Sequence, residues 1–267
     1  MRILVGNTKG GVGKSTTSVQ ILAPFLFELG SSVSLPLVEF DDENKDAETF
    51  SHSTLIDASQ ISLVGTDLIG TLSNLVLSNE HLIVDIGGNK TTSVLLWALE
   101  NSGMMEGFDL FVIPLMDGEQ DAVNAIRVYK KVRAISSSIA ILFALSKVDK
   151  NMSLEMQFFD WFGDVRDRIN GVPGLIEEVA LADRNMMFIH SSDVIKYSRI
   201  FGNTVYEIAA KSTEDMKVQL SQAIKNKEET VARKLSYKMD ILHKSIRYKK
   251  ETLEPCFKVL EGIHYDH

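Results

Sequence analysis

The stretch "NTKGGVGKSTT", Asn7 to Thr17, decides how this sequence is read. Gly10, Gly11 and Gly13 crowd the loop, and Lys9 and Lys14 bracket them. Ahead of it runs "RILVG" (Arg2 to Gly6), a short apolar run that reads as a buried strand. Behind it, from Lys14 to Leu29, the pattern turns helical, and Gly30 supplies a stop. A strand, a glycine loop and a helix in that order build a phosphate cradle. The glycines let backbone N–H groups close around oxygens, and the helix start adds its positive end. The pattern G-x-x-x-x-G-K-[ST] lies over Thr8 to Ser15, with Thr8 in place of the first glycine. Lys14 is then placed for β- and γ-phosphates, and Ser15 for Mg²⁺. One lysine would suffice to hold a phosphate, so Lys9 needs a second explanation.

Working outward, "SVSLPLVEF" (Ser32 to Phe40) reads as a second strand, with Pro36 arguing for an edge or a bulge. "HLIVDI" (His81 to Ile86) is a strand that ends at Gly87-Gly88. "FDLFVIPL" (Phe108 to Leu115) is another, followed by a helix from about Glu119 to Arg133. "SIAILFALS" (Ser138 to Ser146) is the next, with a helix near Leu154 to Ile169, and "NMMFIH" (Asn185 to His190) is the last. Apolar strands alternating with helices predict an α/β fold, a mainly parallel twisted sheet with helices on both faces. "FFDWF" (Phe158 to Phe162) reads as core at helical spacing. From about Thr204 the pattern is two or three helices with a break at Pro255. The expected division is 1–210 for the phosphate-binding domain and 211–267 for a basic helical extension.

Composition narrows the function classes. The 267 residues are 45% apolar, enough for a large core, and no apolar run reaches the roughly 18 residues of a membrane span. "MRILVG" runs straight into the loop and is not a signal peptide, so a cytoplasmic protein is expected. Cys256 is the only cysteine, which excludes an internal disulfide framework and a thiolate zinc site. The net charge is −8, but nine basic and three acidic residues between Lys225 and Lys250 make that segment +6 and leave −14 for the rest. Leu235, Met239, Leu242, Ile246, Leu253, Phe257 and Leu260 form one helical stripe there. If the stripe docks on the body, Lys244, Arg247, Lys249 and Lys250 face outward to DNA phosphates.

The wording K-G-G-x-G-K-[ST]-T, here Lys9 to Thr16, resembles the deviant Walker A motif of the ParA/MinD family of P-loop ATPases. The resemblance covers roughly Met1 to Ala209. It implies ATP and Mg²⁺ as cofactors, bound by Lys9, Gly10, Gly11, Val12, Gly13, Lys14, Ser15 and Thr16. It also implies that Lys9 reaches across a nucleotide-sandwich dimer to the partner's phosphates, which gives the second lysine a purpose. "VEFDDEN" (Val38 to Asn44) stands where the family has D-x-D-P-Q. Asp41 falls on the second Asp, which orients the attacking water; Glu39 replaces the first, and Asp42-Glu43 replace Pro-Gln. "IVDIGGN" (Ile83 to Asn89) is similar to Walker B plus switch II, with Asp85 holding Mg²⁺ through water and Gly88 in the turn that senses the γ-phosphate. "LSKVDK" (Leu145 to Lys150) is similar to the guanine-reading N-K-x-D motif with Ser146 for Asn; the resemblance favours ATP over GTP. In "KYSRIFG", Lys196 and Arg199 either meet DNA or are ordinary surface charges.

The expected activity is that of a short ParA-type partition ATPase. It would form an ATP-sandwich homodimer, bind DNA non-specifically on the nucleoid, and answer to a ParB-like or other adaptor that stimulates hydrolysis. The alternative is a MinD-like membrane-cycling ATPase, whose terminal amphipathic helix is poorly matched by "KVLEGIHYDH". An iron-protein-type reductase would need more cysteines, and a bacterial tyrosine kinase a tail richer in tyrosine than Tyr237, Tyr248 and Tyr265.

Overall fold

The computed structural model describes residues 1–30, 34–41, 47–88, 90–164 and 171–266. Seven strands form one sheet: β1 (Arg2–Val5), β2 (Leu35–Phe40), β3 (Ile56–Ile61), β4 (Leu82–Ile86), β5 (Leu110–Leu115), β6 (Ala140–Val148) and β7 (Met186–His190). Their order is β3-β2-β4-β1-β5-β6-β7, and every pairing is parallel. Parallel strands need long crossovers, and the crossover helices cover both faces, so β1, β4 and β5 are apolar at nearly every position.

The glycine loop leads into α1 (Lys14–Thr17), a π-helical turn over Ser18–Leu22, and α2 (Ala23–Glu28). Then come α3 (Leu68–Ser78), α4 (Lys90–Ser102) and α5 (Glu119–Ile135). After β6 lie the short α6 (Leu154–Gln157) and α7 (Phe159–Phe162). Last come α8 (Val194–Phe201), α9 (Val205–Ala209), α10 (Thr213–Lys225), α11 (Glu229–Tyr248) and α12 (Glu254–Asp266).

One core packs Leu72, Leu95, Leu99, Ala125, Val128 and Trp161 against Leu4, Val84, Phe111 and Phe143. The other packs Ile21, Leu22, Phe25, Leu253, Phe257 and Leu260 against Ile3, Ile83, Val112 and Leu142. The second core shows where the last part of the C-terminal stripe goes: Leu253, Phe257 and Leu260 press α12 onto the sheet beside β7 and α2, with the Phe25 and Phe257 rings 5.7 Å apart, whereas Ile246 of the same stripe is exposed.

Three expectations change. β2 is an interior strand, not an edge. Pro36 is tolerated because β2 pairs with β4 only from Leu37 onward, so at Pro36 β3 is its sole neighbour. Pro255 does not break the chain: α11 passes into α12 through a π-helical turn over Lys249–Leu253, whose wider bore accommodates the proline. The helix expected over 154–169 is two short pieces, interrupted at Phe158 and stopped by Gly163 at φ 75; residues 165–170 lie outside the described residues. Phe158 and Trp161 are buried in the core as expected, with Trp161 4.8 Å from the Phe143 ring, but Phe159 of the same stretch is 44% exposed. Among the described residues no helix is long and apolar enough to cross a membrane.

Candidate nucleotide site

Five strands deliver their carboxyl ends to one edge of the sheet, where open α/β folds bind ligands. β1 delivers the glycine loop, β2 Asp41, β4 Asp85, β5 the segment leading to Asp121, and β6 Ser146. The loop is anchored at Asn7, which is fully buried. Its Nδ2 donates to the Pro114 carbonyl at 2.7 Å, and its Oδ1 accepts from the Lys9 N–H at 3.1 Å. The Thr92 hydroxyl bridges the carbonyls of Asn7 (3.2 Å) and Gly87 (2.7 Å), tying the glycine loop to the segment after β4.

Gly13 has φ 96, and a side chain there would meet the Ser146 hydroxyl at 2.5 Å, so both conformation and space demand glycine. The Ser146 hydroxyl is buried and has no hydrogen-bond partner among the described residues. Gly88 sits against the loop: a Cβ on it would stand 3.5 Å from the Gly10 nitrogen and 3.7 Å from the Thr8 carbonyl oxygen. The Walker A-like and switch II-like segments are therefore already in contact. Val12 is buried, and the Thr17 hydroxyl closes the first helical turn onto the Gly13 carbonyl at 2.9 Å.

The two lysines diverge. Lys14 turns inward, donating to the Lys9 carbonyl at 3.2 Å. Burial pushes its ammonium below its ordinary value, while Asp85, Asp41 and Glu39 pull it back up. Asp85 and Glu39 are register partners on β4 and β2, both buried. Burial pushes the Asp85 carboxyl up to about 7, Lys14 opposes this, Glu39 adds to it, and the hydroxyls of Ser18 and Ser15 bond to it. Asp41 is buried beside Gly87, whose Cβ would stand 3.0 Å from its Cγ. Ser15 and Asp85 thus share one pocket. A hydroxyl plus a carboxylate is a donor set that fits Mg²⁺ held jointly with phosphate oxygens, the usual way this ion is bound. Among the described residues no cluster of three or more acidic, His or Cys side chains holds a metal by itself.

Lys9 turns outward. Its side chain is 41% exposed, and its ammonium pairs with Asp121 near the start of α5, whose side chain is 4% exposed. Asp121, Asn7 and Thr92 were not singled out by sequence reasoning. Asn7 lies inside the opening stretch, so its place at the strand-to-loop junction was the available signal. Asp42, Glu43 and Asn89 lie outside the described residues. Thr16 stands in the first turn of α1.

The basic surface lies away from this pocket. Lys244 pairs with Asp240 at 2.6 Å, and Arg247 and Lys250 are exposed. Lys249 is half-buried instead of facing outward, with its ammonium 4.2 Å over the Tyr206 ring and 3.7 Å from Glu28. Lys196 and Arg199 are exposed on α8, which packs beside α11 through the Tyr197–Tyr237 ring pair.

The chain matches no family model and no curated protein. Solved structures are similar to it at low identity. A plasmid partition protein from Borrelia burgdorferi shares 16% identity over 74% of this chain and 95% of that one, with a TM-score of 0.46. Apo McdA from Cyanthece shares 12% over 92% and 98%, with a TM-score of 0.49. The cell division ATPase MinD from Pyrococcus furiosus shares 13% over 91% and 98%, with a TM-score of 0.48. In the order of strand, glycine loop and helix, and in the two lysines of that loop, the chain resembles the ParA/MinD family of deviant Walker A P-loop ATPases.

Proposed function

We propose that this chain is a ParA-like positioning ATPase that binds Mg-ATP, dimerises around it and hydrolyses it to place a cargo. The observation that supports this most is the divergence of the two loop lysines. Lys14 enters the acidic pocket of Asp85, Asp41 and Glu39, where nucleotide phosphates and their metal would lie. Lys9 turns away from that pocket to pair with Asp121, which supports a separate role for it toward a second subunit. The test is Mg-dependent ATP turnover, measured with and without DNA and candidate adaptor fractions. No nucleotide binding at any protein concentration would overturn the reading.

Asp41 is assigned to orient the attacking water. Asp41→Ala should form ATP-bound dimers that persist, with turnover down about 10²–10⁴-fold, the usual worth of a positioned base. Single-turnover kinetics and light scattering read the two effects. If the variant fails to bind ATP, Asp41 is structural or a metal ligand, and Glu39 or Glu43 takes its role.

Within the proposal, residues 1–210 carry the ATPase and 211–267 carry DNA binding. Lys244, Arg247 and Lys250 supply exposed cations there. Dimerisation doubles this patch, so ATP raises DNA affinity by avidity. The combined variant Lys244→Glu, Arg247→Glu and Lys250→Glu should lose sequence-independent, salt-sensitive DNA binding while keeping ATP-driven dimerisation. Lys249 is left intact because its change would break a packing contact. A wild-type DNA shift in that variant would move the surface to Lys196 and Arg199. The membrane alternative is disfavoured by α12, whose apolar residues Phe257, Leu260 and Ile263 are buried on the sheet together with Leu253 just ahead of it.

A further inference from the structure

A cavity of about 730 Å³ opens beside the glycine loop, between Thr8–Gly10 and one face of α5. Its helical wall is Gln120, Asn124, Arg127 and Lys131, spaced 4, 3 and 4 apart, which is one stripe. Over those eleven steps the stripe is about 16 Å long at roughly 1.5 Å per residue. A second hollow of about 400 Å³ continues between α4 and α5, floored by Leu96, Trp97 and Ile135. Lys131 lines both, so the two hollows adjoin at that side chain along α5.

The groove is basic, within a part of the chain that is otherwise net acidic. Arg127 and Lys131 are exposed, and among the described residues neither has an ion-pair or hydrogen-bond partner. Lys130 at the rim is already paired with Glu178, and Lys9 with Asp121. Glu100, at the far end, is the only carboxylate among the lining residues. In a chain of net charge −8, two unpartnered cations on one stripe mark a place built to meet anions. At the other end Trp97 is 60% exposed, and exposed tryptophan flanked by polar groups is typical of contact sites.

We propose that this α4–α5 groove binds an acidic segment of a partner protein, with its carboxylates on Arg127 and Lys131 and one large apolar side chain on Trp97. Length decides between a peptide and a small anion. The stripe takes about five extended residues at roughly 3.3 Å each, and a lone phosphate would leave Trp97 uncovered. Binding here does not depend on nucleotide chemistry. Its regulatory meaning rests on the ATPase reading: a carboxylate docked in the cavity would lie beside Lys9 and compete with Asp121 for it.

The experiment pans a phage-displayed library of random 12-residue peptides against the full chain, with counter-selection on the double variant Arg127→Glu, Lys131→Glu. Enriched peptides should be acidic with one large apolar residue. A fluorescein-labelled copy of the leading peptide, read by anisotropy, should bind about tenfold weaker to the double variant and several-fold weaker to Trp97→Ala. Its binding should weaken with salt, and the melting temperatures should be unchanged because all three side chains are exposed. Enrichment without acidic bias, or equal binding to the double variant, overturns the proposal. So does full displacement by tripolyphosphate at equal charge, which would make this a small-anion site. Loss of self-association in the double variant, read by sedimentation, would assign the groove to a second copy of the chain and also overturn it. ATP affinity is measured on the same samples, so failure of the groove and failure of the ATPase reading are distinguishable.

Discussion

Lys14→Ala should abolish nucleotide binding, with Kd for a fluorescent ATP analogue raised by at least about 10²-fold. Lys14 is the cation that reaches the buried acids Asp85, Asp41 and Glu39. Hydrogen bonds to charged groups contribute about 1.5–3 kcal/mol each, and leaving a buried charge without its partner costs about 3–5 kcal/mol. Phosphates brought into that pocket without Lys14 would meet uncompensated carboxylates. A second readout separates this from simple misfolding. Burial has already raised Asp85 to about 7, well above a carboxylate's unfolded value, with Lys14 opposing the rise. A carboxyl raised on folding binds more protons folded than unfolded, so its contribution to stability falls as pH rises toward that value. Without Lys14 the raised pKa moves higher still. The variant's stability, followed by urea unfolding, should therefore go on falling above about pH 7, where the wild-type decline from this group levels off. Wild-type ATP affinity in a folded Lys14→Ala protein would remove the basis for this site.

The parts of the fold that were legible in the sequence are those where local chemistry and tertiary fate agree. β1, β4, β5 and β6 are buried on both faces, so they are apolar at most positions and stand out. β3 and α3 did not stand out. β3 lies at the sheet edge with only Ile56 buried, and α3 buries only Leu72 fully, so neither carries a strong apolar signature. In the segment from Leu154 to Asp164 the spacing is helical, but Phe158 and Trp161 are drawn into the core, Trp161 onto Phe143, and packing overrides periodicity.

The site divides in the same way. Gly13, Lys14, Ser15, Asp41 and Asp85 could be picked out as candidates because each lies in a short pattern that ends or follows a strand. Asp121 could not: it meets Lys9 across 112 residues of chain, and only the adjacency of β1 and β5 brings the two together. Lys249 shows the opposite limit. It looks like its solvent-facing neighbours in sequence, yet the π-helical turn just before Pro255 coincides with its rotation onto Tyr206 and Glu28.

Lys9→Ala should separate binding from turnover. The Lys9 ammonium contributes nothing to the inner pocket, since it is paired with Asp121. What the loop takes from this residue is its backbone: the N–H given to Asn7 and the carbonyl that accepts from Lys14. Alanine keeps both, so ATP affinity should stay within about threefold of wild type. If Lys9 acts on a second subunit, ATP-driven dimerisation should disappear in light scattering. Turnover should fall by about 10³–10⁵-fold, the range for a cation supplied to a phosphoryl transition state. Asp121 gives the converse test. To act in trans, Lys9 must leave a carboxylate that is itself almost fully buried and whose remaining negative charge would then be costly. The pair therefore opposes dimerisation in the absence of nucleotide. Asp121→Asn removes that charge while keeping the shape of the side chain, so its dimers should form at lower ATP concentration than wild type. Dimerisation and turnover at wild-type levels in Lys9→Ala would make Lys9 no more than Asp121's surface partner.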